Sequence, residues 1–376
     1  MLRAVFYFLA LAGFALAVAE QPRSVNPVPL EKTHLSPELQ GLAAVDPVDT
    51  HTHVAKGDPA FYAMLERLHM RILDILVVDD HDAYRKNLKQ QLADAEKVVR
   101  ESRGEVFLCT TFDPFQFNQA DFAQAAVQKL NRDFDNGAVA VKIWKNVGME
   151  LKDSGGHYVL PDSPAFEPIL QDIERHNRSL IAHLAEPDEA WQPPDPKALD
   201  YSYYKQNPTW YMYRKPGAPA KTEILAARDR LLAENPGLRV VGAHLGSLED
   251  DLDTLGKRLD KYPNFAVDTA ARVPHLVVQP SDQVRAFILK YQDRILYATD
   301  LEFLKDQSPE DAIAEWQQQY ARDWRYFATN DGFDYDGHQV HGLGLPQEIL
   351  RKLYHSNALH WFPSIPAASS TAALGF

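Results

Sequence analysis

Residues 48–54 read VDTHTHV, and His51 and His53 stand two apart in that run. In an extended strand, side chains at i and i+2 leave the same face. The two imidazoles would therefore share one side, and a pair of neutral imidazoles suits a divalent cation. Three further runs close on a residue able to join them: His183 in LIAHLAE, His244 in VVGAHLG and Asp300 in LYATD. A single histidine ending a strand is more often a hydrogen-bonded core residue than a ligand. Five such groups at the carboxyl ends of apolar runs reverse that expectation, because each buried group left unsatisfied would cost about 1–3 kcal/mol. Nitrogen and oxygen donors of this kind suit zinc, manganese or another first-row ion.

Residues so far apart in the chain need a scaffold that makes them converge. Eight short β-branched or apolar runs occur, at 48–54, 72–78, 105–112, 138–144, 179–186, 239–246, 265–272 and 294–300. Between them lie stretches with helical spacing, among them 82–104, 167–177, 221–236 and 248–263, whose ends carry Gly, Asn or Pro. Strands alternating with helices imply a parallel sheet covered by helices, and a count of eight favours a (β/α)8 TIM-like barrel over an open sheet. No glycine-rich dinucleotide fingerprint argues for the open alternative. In a barrel all the strands' carboxyl ends open onto one rim, where active sites form. The longest interruption, 187–220, is rich in Pro, Tyr and Trp and reads as a long loop after the fifth strand, lying over that rim.

With 376 residues, 45% of them apolar and 24% charged, the chain has the composition of a globular enzyme with a large core. Residues 1–19 hold one basic residue, Arg3, an apolar run to Val18 and Ala17-Val18-Ala19, the grammar of a signal peptide. The expectation is cleavage after Ala19 and a periplasmic or secreted protein, residues 20–376, built as one barrel domain. The apolar run falls short of the roughly 20 residues a membrane span needs. The single cysteine, Cys109, excludes lipid attachment at the cleavage site and any disulfide within the chain; it reads as a small core residue. No stable membrane anchor is expected. Removing residues 1–19 changes 39 bases against 52 acids to 38 against 52, a formal charge of −14, and such a protein repels nucleic acid.

These motifs resemble the amidohydrolase superfamily, in particular its amidohydrolase-related (amidohydrolase 2) branch. The likeness runs over residues 46–363 and rests on DTHTH, AHL, GAHLGS, ATD and the closing LGLPQEILRKLYHSNALHWF. It implies that His51, His53, His183 and Asp300 are metal ligands and that His244 orients or polarises the substrate. Lys142, in VAVKIWKN, matches a fourth-strand lysine that binuclear members carboxylate to bridge two metals. It could instead stay an amine that meets a substrate carboxylate, and the reading favours one ion and an unmodified Lys142. Members are often dimers or tetramers, so a homo-oligomer is admitted.

The expected activity is hydrolysis of a small-molecule amide, ester or lactone by metal-activated water. Asp300 would take the proton and His244 would donate to the developing oxyanion. The alternative is a metal-dependent, non-oxidative decarboxylase in which Asp300 protonates carbon. A barrel kept only for binding is a third class, but no ligand of the set is missing. Substrate contacts are expected from Arg272, which could instead pair with Asp268, and from Trp144, Lys145 and Trp191. Trp210 and Tyr211 read rather as packing within the long loop, and His157, His338, His341, His355 and His360 as surface or capping groups.

Overall fold

The computed structural model describes residues 34–367, so the signal-peptide reading at 1–19 lies outside the described residues. Nine strands form one sheet: β1 Val48–Val54, β2 Arg71–Ile75, β3 Val106–Thr111, β4 Ala140–Ile143, β5 Ser179–Ala182, β6 Arg239–Gly242, β7 Phe265–Asp268, β8 Ile295–Leu296 and β9 Leu301–Phe303. All pair in parallel, in chain order from β1 to β8, and β9 pairs back onto β1. β8 and β9 are two short pieces of one segment. Between them Thr50 N donates to Tyr297 O (3.1 Å) and Asp300 N to His51 O (2.8 Å). Asp49 clamps the same stretch, accepting from Thr299 N (3.1 Å) and Thr299 Oγ1 (2.6 Å). The sheet thus curls until its last segment meets its first, as the TIM-like reading requires.

Alternation along each strand separates two cores. Ile72, Val106, Val141, Leu180, Val240 and Val267 pack outward with the helices. Leu73, Cys109, Ala140, Ile181, Val241, Ala266 and Leu296 form a second buried cluster, joined by Trp361 and Phe362 of the chain's closing segment. Cys109 is therefore a core residue, as expected. Lys142, His183 and Asp268 continue the parity of Ala140, Ile181 and Ala266. β1 breaks strict parity: Val48 belongs to the inner cluster, yet His51 and His53, of opposite parity, meet Asp268 and Asp300, and the β1–β2 register slips between Asp49 and Thr52. A bulge of this kind re-aims the side chains beyond it.

Each predicted run contains a strand, but every strand after the first ends sooner than its run. His183 directly follows Ala182, His244 lies two past Gly242, and Asp300 sits between β8 and β9. Ala185, His244, Leu245, Ser247, Ala271 and Asp300 all have positive φ, between 53° and 69°. Each such residue costs of order 1–3 kcal/mol, and strain of this kind concentrates where side chains must be aimed.

The connection from β5 to the helix Lys221–Glu234 departs from the expected long loop. It carries helical turns at Asp188–Trp191, Pro208–Trp210 and Met212–Arg214 and a helix Tyr201–Gln206. Tyr204, Trp210, Tyr211 and Met212 are buried within it, so an apolar core of its own orders it. Among the described residues, no helix is long and apolar enough to cross a membrane.

Candidate metal centre

Among the described residues, His51, His53 and Asp300 offer ligand atoms that all lie within 4.8 Å of one another. Asp300 Oδ1 stands 3.3 Å from His51 Nε2 and 3.4 Å from His53 Nε2. The other ring nitrogens are engaged. His51 Nδ1 lies 3.0 Å from Asp268 Oδ2, and His53 Nδ1 lies 2.7 Å from the carbonyl of Ile75. A carbonyl only accepts, so His53 carries its proton on Nδ1; Asp268 imposes the same tautomer on His51. Both Nε2 lone pairs then face Asp300, an arrangement in which outer partners orient metal ligands. Asp268 is held in turn, its Oδ1 accepting from His244 N (2.8 Å) and Ala270 N (3.2 Å).

His183 and His244 form a second pair. His244 Nδ1 donates to the Ala270 carbonyl (2.8 Å), which leaves His244 Nε2 to accept from His183 Nδ1 at 3.1 Å. The lone pair of His183 is thus on Nε2, which is buried, has no hydrogen-bond partner and stands 3.5 Å from Glu186 Oε1. An orphaned acceptor facing a carboxylate calls for a cation between or beside them. The donor set therefore fits a divalent ion: three ligand atoms are gathered and a fourth donor, His183 Nε2, is open, although His183 is outside the compact trio. The tautomer of His244 has a second consequence. As a neutral ring its Nε2 accepts, so it is not placed to donate to an oxyanion, the role expected for it in hydrolysis.

Burial lowers the pKa of His51, with Lys142 adding to the effect. Burial likewise holds His183 and His244 well below the usual imidazole range. These shifts disfavour the charged imidazolium, in the direction metal ligation requires. Burial pushes the Asp300 carboxyl up, but His244 and His51 outweigh it and hold the group well below the usual carboxylate range. Lys142 is buried in β4 with Nζ 3.1 Å from His51 Nε2. Burial brings its pKa down to about 8, against the opposing pull of Asp268 and Asp300.

A belt of buried charge flanks the histidine pair. Lys145 pairs with Glu186, and Tyr203 and Tyr204 bring their hydroxyls from the β5 connection: Tyr203 to Lys145 and Tyr204 to Glu186 Oε2 (3.1 Å). The rings of Trp210, Tyr203 and Trp144 surround the Lys145 ammonium at 4.7, 4.9 and 5.4 Å. Arg272 faces Glu249 at 3.5 Å, not Asp268, which is occupied by His51. Lys145 and Arg272 both lie close enough to depress the His183 pKa. Trp191 is spent inside the connection, its indole donating to Pro219 O at 3.0 Å. Trp144 packs edge-on against Trp210, and Trp210 and Tyr211 are buried packing residues as read from the sequence. His157, His338, His341 and His360 are exposed, and His355 bonds the Asp46 carbonyl.

Four residues of this site escaped the sequence reading. Asp268, named only as an alternative partner of Arg272, lies inside the seventh run, and Glu186 closes the fifth, where the rule that picked out Asp300 would have found it. Glu249 and His275 carry no such signal. His275 bridges Asp200 of the β5 connection and Asp250, both at 3.2 Å.

A family model described as Amidohydrolase matches residues 48–363. No curated protein sequence matches the chain. Among solved structures, a 2,6-dihydroxybenzoate decarboxylase complexed with 2,6-dihydroxybenzoate is similar over 84% of this chain and 99% of its own, at 15% identity and a TM-score of 0.50. The 2,6-dihydroxybenzoate decarboxylase from Rhizobium covers 84% and 98% at 15% identity and a TM-score of 0.49. A dihydroxybenzoic acid decarboxylase from a Polaromonas species, with bound manganese and 2-nitroresorcinol, covers 86% and 99% at 12% identity and a TM-score of 0.50. At such identities the likeness is one of fold.

Proposed function

The chain belongs to the amidohydrolase family, and from that premise we propose that it is a metal-dependent enzyme that decarboxylates a small carboxylic acid without oxidation. The observation that carries this reading is the buried cationic wall of Lys142, Lys145 and Arg272 beside the histidine cluster, in which Lys145 is paired with Glu186 and Arg272 keeps an Nε without a hydrogen bond. A neutral amide or lactone has no use for such a wall, whereas a carboxylate offers the open Arg272 donor a charge-assisted partner. The decarboxylases that share the fold agree with it.

One divalent ion, zinc or manganese by donor type, would be held by His51, His53 and Asp300 with His183 Nε2 completing the set, and would supply Lewis-acid polarisation of a substrate oxygen. Lys142 keeps a bare amine in this reading. Arg272 holds the carboxylate through its open Nε, and the Lys145–Glu186 pair sets the field beside it. The bond from the substrate carbon to the carboxylate breaks, its electron pair stays on that carbon, and carbon dioxide leaves. A proton must take the vacated place. Asp300, whose side chain is 30% exposed at the mouth, is the residue assigned to relay it from solvent.

Hydrolysis of an amide, ester or lactone is the second reading, favoured by that same partial exposure of Asp300. Incubation with a panel of aromatic and aliphatic acids, amides and lactones in deuterated water separates the two. The expected outcome is carbon dioxide and one deuterium at the vacated carbon. Consumption of a lactone or amide with uptake of oxygen from water, and no carbon dioxide from any acid, would overturn the first reading.

A further inference from the structure

Outside the metal centre, the β5 connection folds around a cavity of about 350 Å³, a size suited to a small ligand. Its walls include the rings of Tyr201, Tyr204 and Tyr211 and the cationic groups of Lys197, Lys205 and Arg214. Tyr204 and Tyr211 lie nearly parallel, 26° apart with centroids at 5.8 Å, and the Arg214 guanidinium sits 5.2 Å above the Tyr211 ring. Two acids also line the space, but both are occupied by backbone. Glu189 accepts from Leu199 N (3.1 Å) and Asp200 N (2.9 Å), and Asp195 accepts from Lys197 N (2.9 Å). Among the described residues, by contrast, Lys197, Lys205 and Arg214 form no ion pair with any carboxylate. Three unpaired cations around one aromatic cavity stand out in a chain whose formal charge is −13.

We propose that this cavity is a second binding site, for a planar aromatic carboxylate. Tyr204 and Tyr211 stack on each other and form a buried aromatic floor, the half-buried Tyr201 offers its ring to the ligand by offset stacking, and the Arg214 guanidinium over Tyr211 takes the carboxylate in a bidentate pair. The site communicates with the metal centre through one residue. Tyr204, whose ring forms part of the wall, donates its hydroxyl to Glu186, which stands beside His183. The inference does not depend on the reaction proposed above, because none of these wall residues belongs to the metal centre.

The test is calorimetric titration of the full-length protein with 2-naphthoate, comparing wild type, Arg214→Gln, Lys205→Gln and His51→Ala, with thermal melts to verify folding. The expected result is a binding event that survives His51→Ala and metal chelation and weakens about tenfold or more in Arg214→Gln, the scale of a lost hydrogen bond to a charged group. The neutral analogue 2-naphthol should bind at least tenfold more weakly than the acid. Binding that vanishes with His51→Ala and ignores Arg214→Gln would assign the ligand to the metal centre and overturn the proposal, as would no binding at all. Equal affinity for naphthol would overturn the anion specificity. Should Arg214→Gln fail to fold, Lys205→Gln carries the same comparison.

Discussion

On the β1 side of the barrel mouth, His51 and His53 have their Nδ1 atoms tied to Asp268 and to the Ile75 carbonyl, and Asp268 is itself fixed by two backbone amides. On the side of the β6 and β7 connections, Glu249 leaves both carboxylate oxygens and Arg272 its Nε without a hydrogen bond, although the two face each other at 3.5 Å. The first region is hydrogen-bonded to completion and positions lone pairs for an ion. The second balances buried charge by proximity alone and leaves donors and acceptors waiting for a polar partner. The contrast teaches a division of labour: strand register decides that a cation can be held, and the connections decide what charge the substrate should carry.

The sharpest way to break this contrast is to remove a ligand from the satisfied side. His51→Ala should abolish stoichiometric metal, read by elemental analysis, and reduce turnover at least about 10⁴-fold, roughly 5.5 kcal/mol. Retention of metal and activity would mean that the trio is not the centre. In the charged belt after β4 and β5, Glu186→Ala strands the buried Lys145 ammonium and should cost about 3–5 kcal/mol in urea unfolding. The double replacement Lys145→Met with Glu186→Leu should recover most of that loss, and a double variant no better than the single would show that the pair is not coupled. A smaller effect belongs to Asp268→Asn, which keeps the shape of the support but weakens the hold on His51. Metal affinity should fall about 10–100-fold, and an unchanged dissociation constant would detach Asp268 from the centre.

The smallest effect distinguishes the regions by pH. Burial would lower the His275 pKa, but its hydrogen bonds to Asp200 and Asp250 outweigh this and raise it to about 9. Arg272, Glu189 and Glu249 also act on this ring. A group whose folded pKa exceeds its unfolded value near 6.5 contributes fully below that value and loses the contribution as pH rises through the folded one. The melting temperature should therefore decline between about pH 6.5 and 9, and His275→Gln should flatten that part of the profile. An identical slope in the variant would remove His275 as the clasp between Asp200 and Asp250.

Much of this architecture was legible before any coordinates. Each of the eight runs contains a strand, the HxH pair does face one side, and Asp300 meets both imidazoles because every strand's carboxyl end opens on the same rim. The hairpin Gly332–Tyr335 with His338–His341 and the helical turns of the β5 connection were not legible, since short elements stabilised by buried aromatics leave no clear period in the sequence. Asp268 illustrates the boundary. It stood inside the seventh run with Arg272 read as the strand's end, yet the strand stops at Asp268, whose partner lies 217 residues away, and the local neighbour Arg272 was the natural but mistaken alternative.

What the chain alone determined is what periodicity and residue type can encode: a parallel α/β barrel, the identity of the donors and the end of the sheet where they gather. Only the folded structure decided which nitrogen of each imidazole carries its proton, that His183 pairs with His244 instead of joining the compact trio, and that Lys145 and Arg272 face Glu186 and Glu249. Those outcomes depend on contacts between segments remote in sequence, settled by sub-ångström differences in distance and by burial, and no spacing along the chain records them.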